Sequence, residues 1–296
     1  MKNKILLAII GSVLVGCSNE TKSFGTTLMN FNKELGVQQD EKSNNDNTSD
    51  LLASSSEGEI LNSLPSGNEN RKSNSKSSDT SQILLPSEYF NVIKTVDGKQ
   101  EVQNPSNEIV VVNKLYSLPE NYIPNDLIIP NVTFSFGKQD IEKAYLRKPA
   151  ADALVKMFQA AKLDKITLAA VSAYRSYKRQ KEVFNHGVQT KGHAEAAKLI
   201  AVPGMSEHQT GLALDISSKS NGYRLDENFA NTPEGEWLKT NAHHYGFILR
   251  YQKGKESITG YNYEPWHFRY VGVQVAMDLY NKDITLDEYV KNAKAI

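Results

Sequence analysis

An aspartate inside an apolar strand is expensive to bury unless it is paired or coordinates a metal ion. The chain places one at Asp215, where the alternating segment Leu212-Ala213-Leu214 runs into it and Ile216 follows. His208 lies seven residues upstream with Gly211 between them, and Pro203-Gly204 marks a loop that would bend it back toward the strand. Further along, the chain reads Glu264-Pro265-Trp266-His267-Phe268. Residues three apart in an extended segment point to opposite faces, but Pro265 can turn the chain locally and let Glu264 and His267 face one cavity. Two imidazoles, one carboxylate ligand and one spare carboxylate form the set that a catalytic zinc ion requires. It takes three protein ligands and leaves the fourth position to water, with a glutamate free to act as general base. On spacing alone a second reading stays open, a hydrogen-bonded Asp215–His208 pair with a structural role.

Length and composition narrow the choice. The 296 residues suffice for one or two domains. With 34 basic and 34 acidic side chains the formal charge is zero, so the basic excess that nucleic-acid binding needs is missing. No protein partner is implied. Cys17 is the single cysteine, which excludes an intramolecular disulfide and a sulfur-rich zinc site.

Residues 1–16 read as a targeting segment, with Lys2 and Lys4 ahead of an apolar run from Ile5 to Val15. That run is shorter than the about 20 apolar residues that span a bilayer. It ends Leu14-Val15-Gly16-Cys17, which resembles the lipobox of bacterial lipoproteins; the alternative is an ordinary secretory signal with a chance cysteine. The resemblance implies acylation of Cys17, and two acyl chains suffice for stable anchoring where one is marginal. The expectation is a protein held on the outer face of a bacterial membrane.

Residues 17–82 are dominated by Ser, Asn, Lys, Glu and Asp, as in Ser43-Asn44-Asn45-Asp46-Asn47. Apolar residues this sparse do not offset the entropy of ordering, which predicts a disordered tether. Its r.m.s. reach is roughly 45 Å. Composition changes near Ile83, and residues 83–296 read as one folded domain. Ile109-Val110-Val111-Val112 and Leu127-Ile128-Ile129, punctuated by prolines, suggest short strands. Pro149 suits the first turn of a helix carrying Leu154, Met157, Phe158 and Ala161. A buried strand from Ile166 to Val171 delivers Ser172-Ala173-Tyr174-Arg175, and helices follow over 177–188 and 194–200. Thr232-Pro233 caps a helix that carries Trp237, Leu238 and Tyr245 and stops at Gly246. Strands follow over 247–251 and 263–271, then two helices, the last opened by a Thr285–Glu288 capping box. Without a βαβ rhythm, the fold class is α+β: a small mixed or antiparallel sheet with helices packed around it. His186, His193, His243 and His244 are expected to be surface or partly buried histidines.

Three motifs resemble the VanY-type zinc D-Ala-D-Ala carboxypeptidases: Ser206-x-His208-x-x-Gly211-x-Ala213-x-Asp215, Glu264-Pro265-Trp266-His267, and Tyr174-Arg175-Ser176-Tyr177-x-x-Gln180. The likeness runs from about Val112 to Tyr289 and departs from the family at no catalytic position. It implies that His208, Asp215 and His267 hold zinc and that Glu264 is the general base. It further implies that Arg175 faces the substrate's terminal carboxylate or the developing oxyanion, where a fixed planar cation suits both tasks. Ser206 and Gln180, and on weaker grounds Tyr263, would belong to the substrate pocket. The implied activity is removal of the C-terminal D-alanine from peptidoglycan stem peptides. The rivals are cleavage of the L,D bond of tetrapeptide stems and a wall-binding lipoprotein that has lost catalysis.

Overall fold

The computed structural model describes residues 82–296, so the targeting segment, Cys17 and the tether up to Ser81 lie outside the described residues. The first half of the domain is built from short strands: β1 (Leu84–Leu85), β2 (Ile93–Val96), β3 (Lys99–Val102), β4 (Tyr116–Ser117), β5 (Leu127–Ile128) and β6 (Leu146–Arg147). Then come α1 (Lys148–Leu163), β7 (Ala169–Ser172), α2 (Tyr177–Lys191), α3 (His193–Leu199) and β8 (Ala213–Ser217). The chain closes with α4 (Pro233–Asn241), β9 (Phe247–Leu249), α5 (Glu256–Thr259), β10 (His267–Tyr270), α6 (Val273–Lys282), α7 (Leu286–Asn292) and β11 (Lys294–Ala295). No helix among the described residues is long and apolar enough to cross a membrane.

The organising element is a four-stranded sheet in the order β7-β8-β10-β9, antiparallel throughout. The class is α+β, as expected. Side chains alternate across a strand, so Leu214 and Ile216 of β8 and Phe268 of β10 enter the main core. There they meet Ala150, Ala151, Leu154, Met157 and Ala161 of α1, which recur at helical spacing along one face. Pro149 occupies the first turn of α1, where a missing N–H costs nothing. A second core packs Ala276 and Leu279 of α6 and Leu286 and Tyr289 of α7 against Leu85, Ile109 and Val111.

Local chemistry sets the helix ends. Ser176 caps α2 by accepting from the Arg179 N–H, and Thr232 caps α4 by accepting from the Gly235 N–H. α4 gives way to a 3-10 turn over Ala242–Tyr245, which ends at Gly246 in a left-handed conformation, φ 82°. At Thr285 both arms of the capping box are formed. The two ends of the described region meet at one edge. β1 and β11 pair in parallel, and the N–H of Ser87 donates to the carbonyl of Ile296 at 3.2 Å.

Two expected strands are corrected. Ile109–Val112 is buried but joins no ladder among the described residues, because side chains take its backbone groups. Asn91 bonds both the N–H and the carbonyl of Val111, and Arg269 donates to the carbonyls of Glu108 and Val110. The strand expected over 263–271 begins only at His267. His243 also differs from expectation: its side chain is buried, with the ring stacked on Tyr280 at 3.6 Å and 7°. The 3-10 turn that carries His243 packs directly on α6, which closes off solvent.

Candidate metal centre

The alternation that buries Leu214 and Ile216 leaves Asp215 on the other face of the sheet, and β10 likewise leaves His267 there. Strand register sets the two directly opposite each other. His208 arrives from a 3-10 turn over Glu207–Thr210. Gly211 closes that turn at φ 66° and leads the chain into β8, a conformation a side chain would strain. His208, Asp215 and His267 are all buried, and one ligand atom from each lies within 4.8 Å of the others.

The contacts within this cluster are close. His208 Nε2 lies 3.4 Å from Asp215 Oδ2, and His267 Nδ1 lies 3.1 Å from Asp215 Oδ1. The two imidazoles meet edge to face at 5.0 Å between centroids. His208 Nδ1 is 2.7 Å from the carbonyl of Ala173, so Nδ1 carries the proton and donates it. The lone pair on Nε2 is thereby turned toward Asp215. Donors at 2.0–2.2 Å from a zinc ion stand about 3.3 Å from one another, and a buried carboxylate with two imidazoles at these separations fits that ion.

Electrostatics treat the three groups differently. Burial would raise the pKa of Asp215, but His208 and His267 outweigh it and hold the carboxyl below the usual range. Burial lowers that of His208, which Asp215 only partly offsets, so the ring stays neutral as a ligand must. His267 behaves oppositely: burial is outweighed by the nearby carboxylates of Asp215 and Glu207, and its pKa rises to about 9.

Glu264 precedes His267 in a tight turn, and its Oε2 lies 3.9 Å from His267 Nδ1. Burial pushes its pKa up to about 7; His267 and Arg175 pull against this, while Asp215 and Glu207 add to it. The side chain keeps 23 % of its surface exposed, enough to meet a water or a substrate. Arg175 donates from Nη1 to Gln180 Oε1 at 3.0 Å and from Nη2 to Ser172 Oγ at 3.4 Å. Its own N–H donates to the carbonyl of His208 at 3.2 Å. Burial lowers its pKa, and the charges of Asp215 and Glu264 act on it from the site.

The remaining candidates fall in different places. Gln180 is 1 % exposed; its amide accepts from Arg175 and donates to the carbonyl of Ala201 at 2.6 Å, so it holds the guanidinium from behind. Ser206 is buried at the head of the His208 turn. Tyr263 lines a separate cleft of about 340 Å³ with Glu227, Glu236, Lys239 and Lys253; Pro265 borders it, but His208, Asp215 and His267 do not.

Sequence reasoning missed three charged residues at the centre of this face. Glu207, Arg250 and Arg269 are fully buried, with Glu207 Oε1 accepting from Arg250 Nε at 2.8 Å and from Arg269 Nη1 at 2.9 Å. The one available signal was two arginines inside otherwise apolar and aromatic strand segments.

Comparison with known proteins bears on the same region. Residues 143–273 match the family model described as VanY, D-alanyl-D-alanine carboxypeptidase. The chain is 54% identical over 230 residues to the provisionally named carboxypeptidase YodJ of Bacillus subtilis (strain 168), covering 77% of this chain and 84% of that one. Among solved structures it is similar to the LdcB LD-carboxypeptidase, at 55% identity and a TM-score of 0.71, covering 72% of this chain and 100% of that chain. It is also similar to a variant of the D,D-pentapeptidase VanY from a VanB-type resistance cassette, solved with Zn(II), at 31% identity and a TM-score of 0.51, covering 62% and 98%.

Proposed function

Because the chain belongs to the VanY family of D-alanyl-D-alanine carboxypeptidases, we propose that it is a zinc-dependent enzyme that releases the C-terminal D-alanine of peptidoglycan stem peptides. One observation carries the reading: three buried ligand atoms converge beside a glutamate that is not one of them. A zinc ion held by His208, Asp215 and His267 would supply a polarised carbonyl and water acidified to a pKa of about 7. Every other task falls to the chain. Glu264 takes the proton of the attacking water and returns it to the departing amine, and a carboxyl tuned near neutrality suits both transfers. Arg175, held in place by Gln180 and Ser172, meets the terminal carboxylate or the developing oxyanion. A non-catalytic wall-binding role leaves Glu264 without a purpose beside the ligands.

Of the two bonds such a peptidase can cut, the L,D bond of tetrapeptide stems is the better supported. Its support is the likeness to LdcB at 55% identity, against 31% for the D,D-pentapeptidase. The second reading, D,D cleavage of pentapeptide stems, rests on the description of the matched family. Incubating the protein with both stems and weighing the products separates them. Loss of one alanine from the tetrapeptide is expected; release from the pentapeptide alone would give the D,D reading.

Delivery to the wall completes the proposal. The Leu14-Val15-Gly16-Cys17 sequence supports acylation of Cys17 and anchorage to the outer face of the membrane, with residues up to 82 as the tether. A Cys17→Ser protein is then expected in the soluble fraction of detergent-free cell lysates, and its retention with membranes would defeat the anchor.

A further inference from the structure

Glu207 neighbours His208 in the chain, yet its carboxylate meets the other histidine. Oε1 is taken by Arg250 and Arg269. Among the described residues Oε2 finds no hydrogen-bond partner; it lies 3.5 Å from His267 Nε2, a nitrogen that is equally buried and, among the same residues, equally unpartnered. The two orphaned atoms face each other on the side of the imidazole away from Asp215, which stands 3.1 Å from Nδ1. Closing the gap by about half an ångström makes an ordinary N–H···O bond.

We propose that Glu207 is a positioning residue for the metal. Its Oε2 accepts the Nε2 proton of His267, which fixes the ring in the tautomer that presents the Nδ1 lone pair to the ion. The proposal rests on the zinc reading above. Metal-bound histidines commonly give their second N–H to a carboxylate, which orients the ring and strengthens the ligand. Here the carboxylate itself is held from two directions. Arg269 is pinned by the carbonyls of Glu108 and Val110, at 3.0 and 2.9 Å. Arg250 reaches Asp287, in the first turn of α7, at 2.6 Å, and Asp287 accepts from Asn113 at 2.8 Å. Two guanidinium groups and two carboxylates already balance in charge within this cluster. Charge balance needs only Oε1 of Glu207, and it leaves the aim of Oε2 at His267 unexplained.

Zinc affinity measured by chelator competition, alongside thermal unfolding of the metal-free protein, tests this with two variants. Glu207→Gln removes the charge, while Glu207→Asp keeps it for the arginines and withdraws it from His267. Both are expected to bind zinc about 10- to 100-fold more weakly, and Glu207→Asp to do so with metal-free stability close to wild type. A merely structural role would lower the unfolding temperature and leave zinc affinity unchanged, and a folded Glu207→Asp protein with wild-type affinity overturns the proposal. Should neither variant fold, nitrogen NMR of the zinc-loaded wild-type protein decides the matter. His267 must be protonated at Nε2 and coordinated through Nδ1, and the reverse tautomer defeats the assignment. A wild-type chain that takes up no zinc would instead overturn the metal reading itself.

Discussion

The backbone N–H of His267 donates to the carbonyl of Glu264 at 3.1 Å, closing a turn across Pro265 and Trp266. In a strand these residues would face opposite ways. The turn brings the Glu264 carboxylate to 3.9 Å from His267 Nδ1 without making it a fourth ligand of the cluster. On the zinc reading, four consecutive residues would divide the binding of a metal from the moving of a proton.

Glu264→Gln is therefore expected to lower turnover by about 10²- to 10⁴-fold, the usual contribution of a positioned base, while zinc remains bound at wild-type stoichiometry. Metal analysis of the purified variant checks this. Loss of zinc together with activity would place Glu264 among the ligands.

His208→Ala, Asp215→Ala and His267→Ala are each expected to reduce zinc content and to abolish the rise in melting temperature that zinc produces by binding the folded state. Full occupancy in all three would remove the ligand set. The Asp215 substitution should also lower the His267 pKa, since that carboxylate is the first group holding it up.

Zinc affinity should rise with pH. Without metal His267 holds its proton up to about pH 9, and zinc must displace that proton. Between pH 7 and 9 the apparent affinity should therefore increase by up to about tenfold per unit from this group. The same shift has the opposite sign for the metal-free fold. A raised histidine pKa adds stability below its unfolded value of 6.5, and that stability is lost as pH climbs through 9. Calorimetric zinc titrations at three pH values would expose a flat dependence if His267 were not the competing group.

Arg175 is the candidate for recognising a free C-terminus. If it pairs with the terminal carboxylate, amidating the substrate and substituting Arg175→Ala each remove the same interaction. Charge-assisted bonds contribute roughly 1.5–3 kcal/mol, so either change alone should cost about 10- to 150-fold in kcat/KM. The two together should cost little more than one. Independent, multiplying losses would move Arg175 to the oxyanion.

Much of the centre is legible in the chain because its groups sit in local patterns. Asp215 stands out as a charge in an apolar alternation, and His267 beside a proline turn. The capping box at Thr285 and the cap at Thr232 depend on residues three apart and form as the sequence implies. What escaped depends on partners far away in sequence. Glu207 looks like an ordinary acidic neighbour of His208 until Arg250 and Arg269 fold over it. Ile109–Val112 has strand composition, but its backbone is satisfied by Asn91 and Arg269 instead of another strand. His243 carries no mark of burial, because α6 covers it only in the folded domain.

The pairing of β1 with β11 bears on how the domain responds to being pulled. Any load carried by residues before 82 enters through Leu84–Leu85, whose first neighbour is the far end of the chain. Two backbone bonds, Lys294 N–H to Ile83 and Ile296 N–H to Leu85, at 2.8 and 3.1 Å, and the Ser87 contact would bear it lengthwise. None of them belongs to the strands that carry Asp215 and His267. A pull from the amino end would part those bonds first and leave the sheet that carries Asp215 and His267 standing.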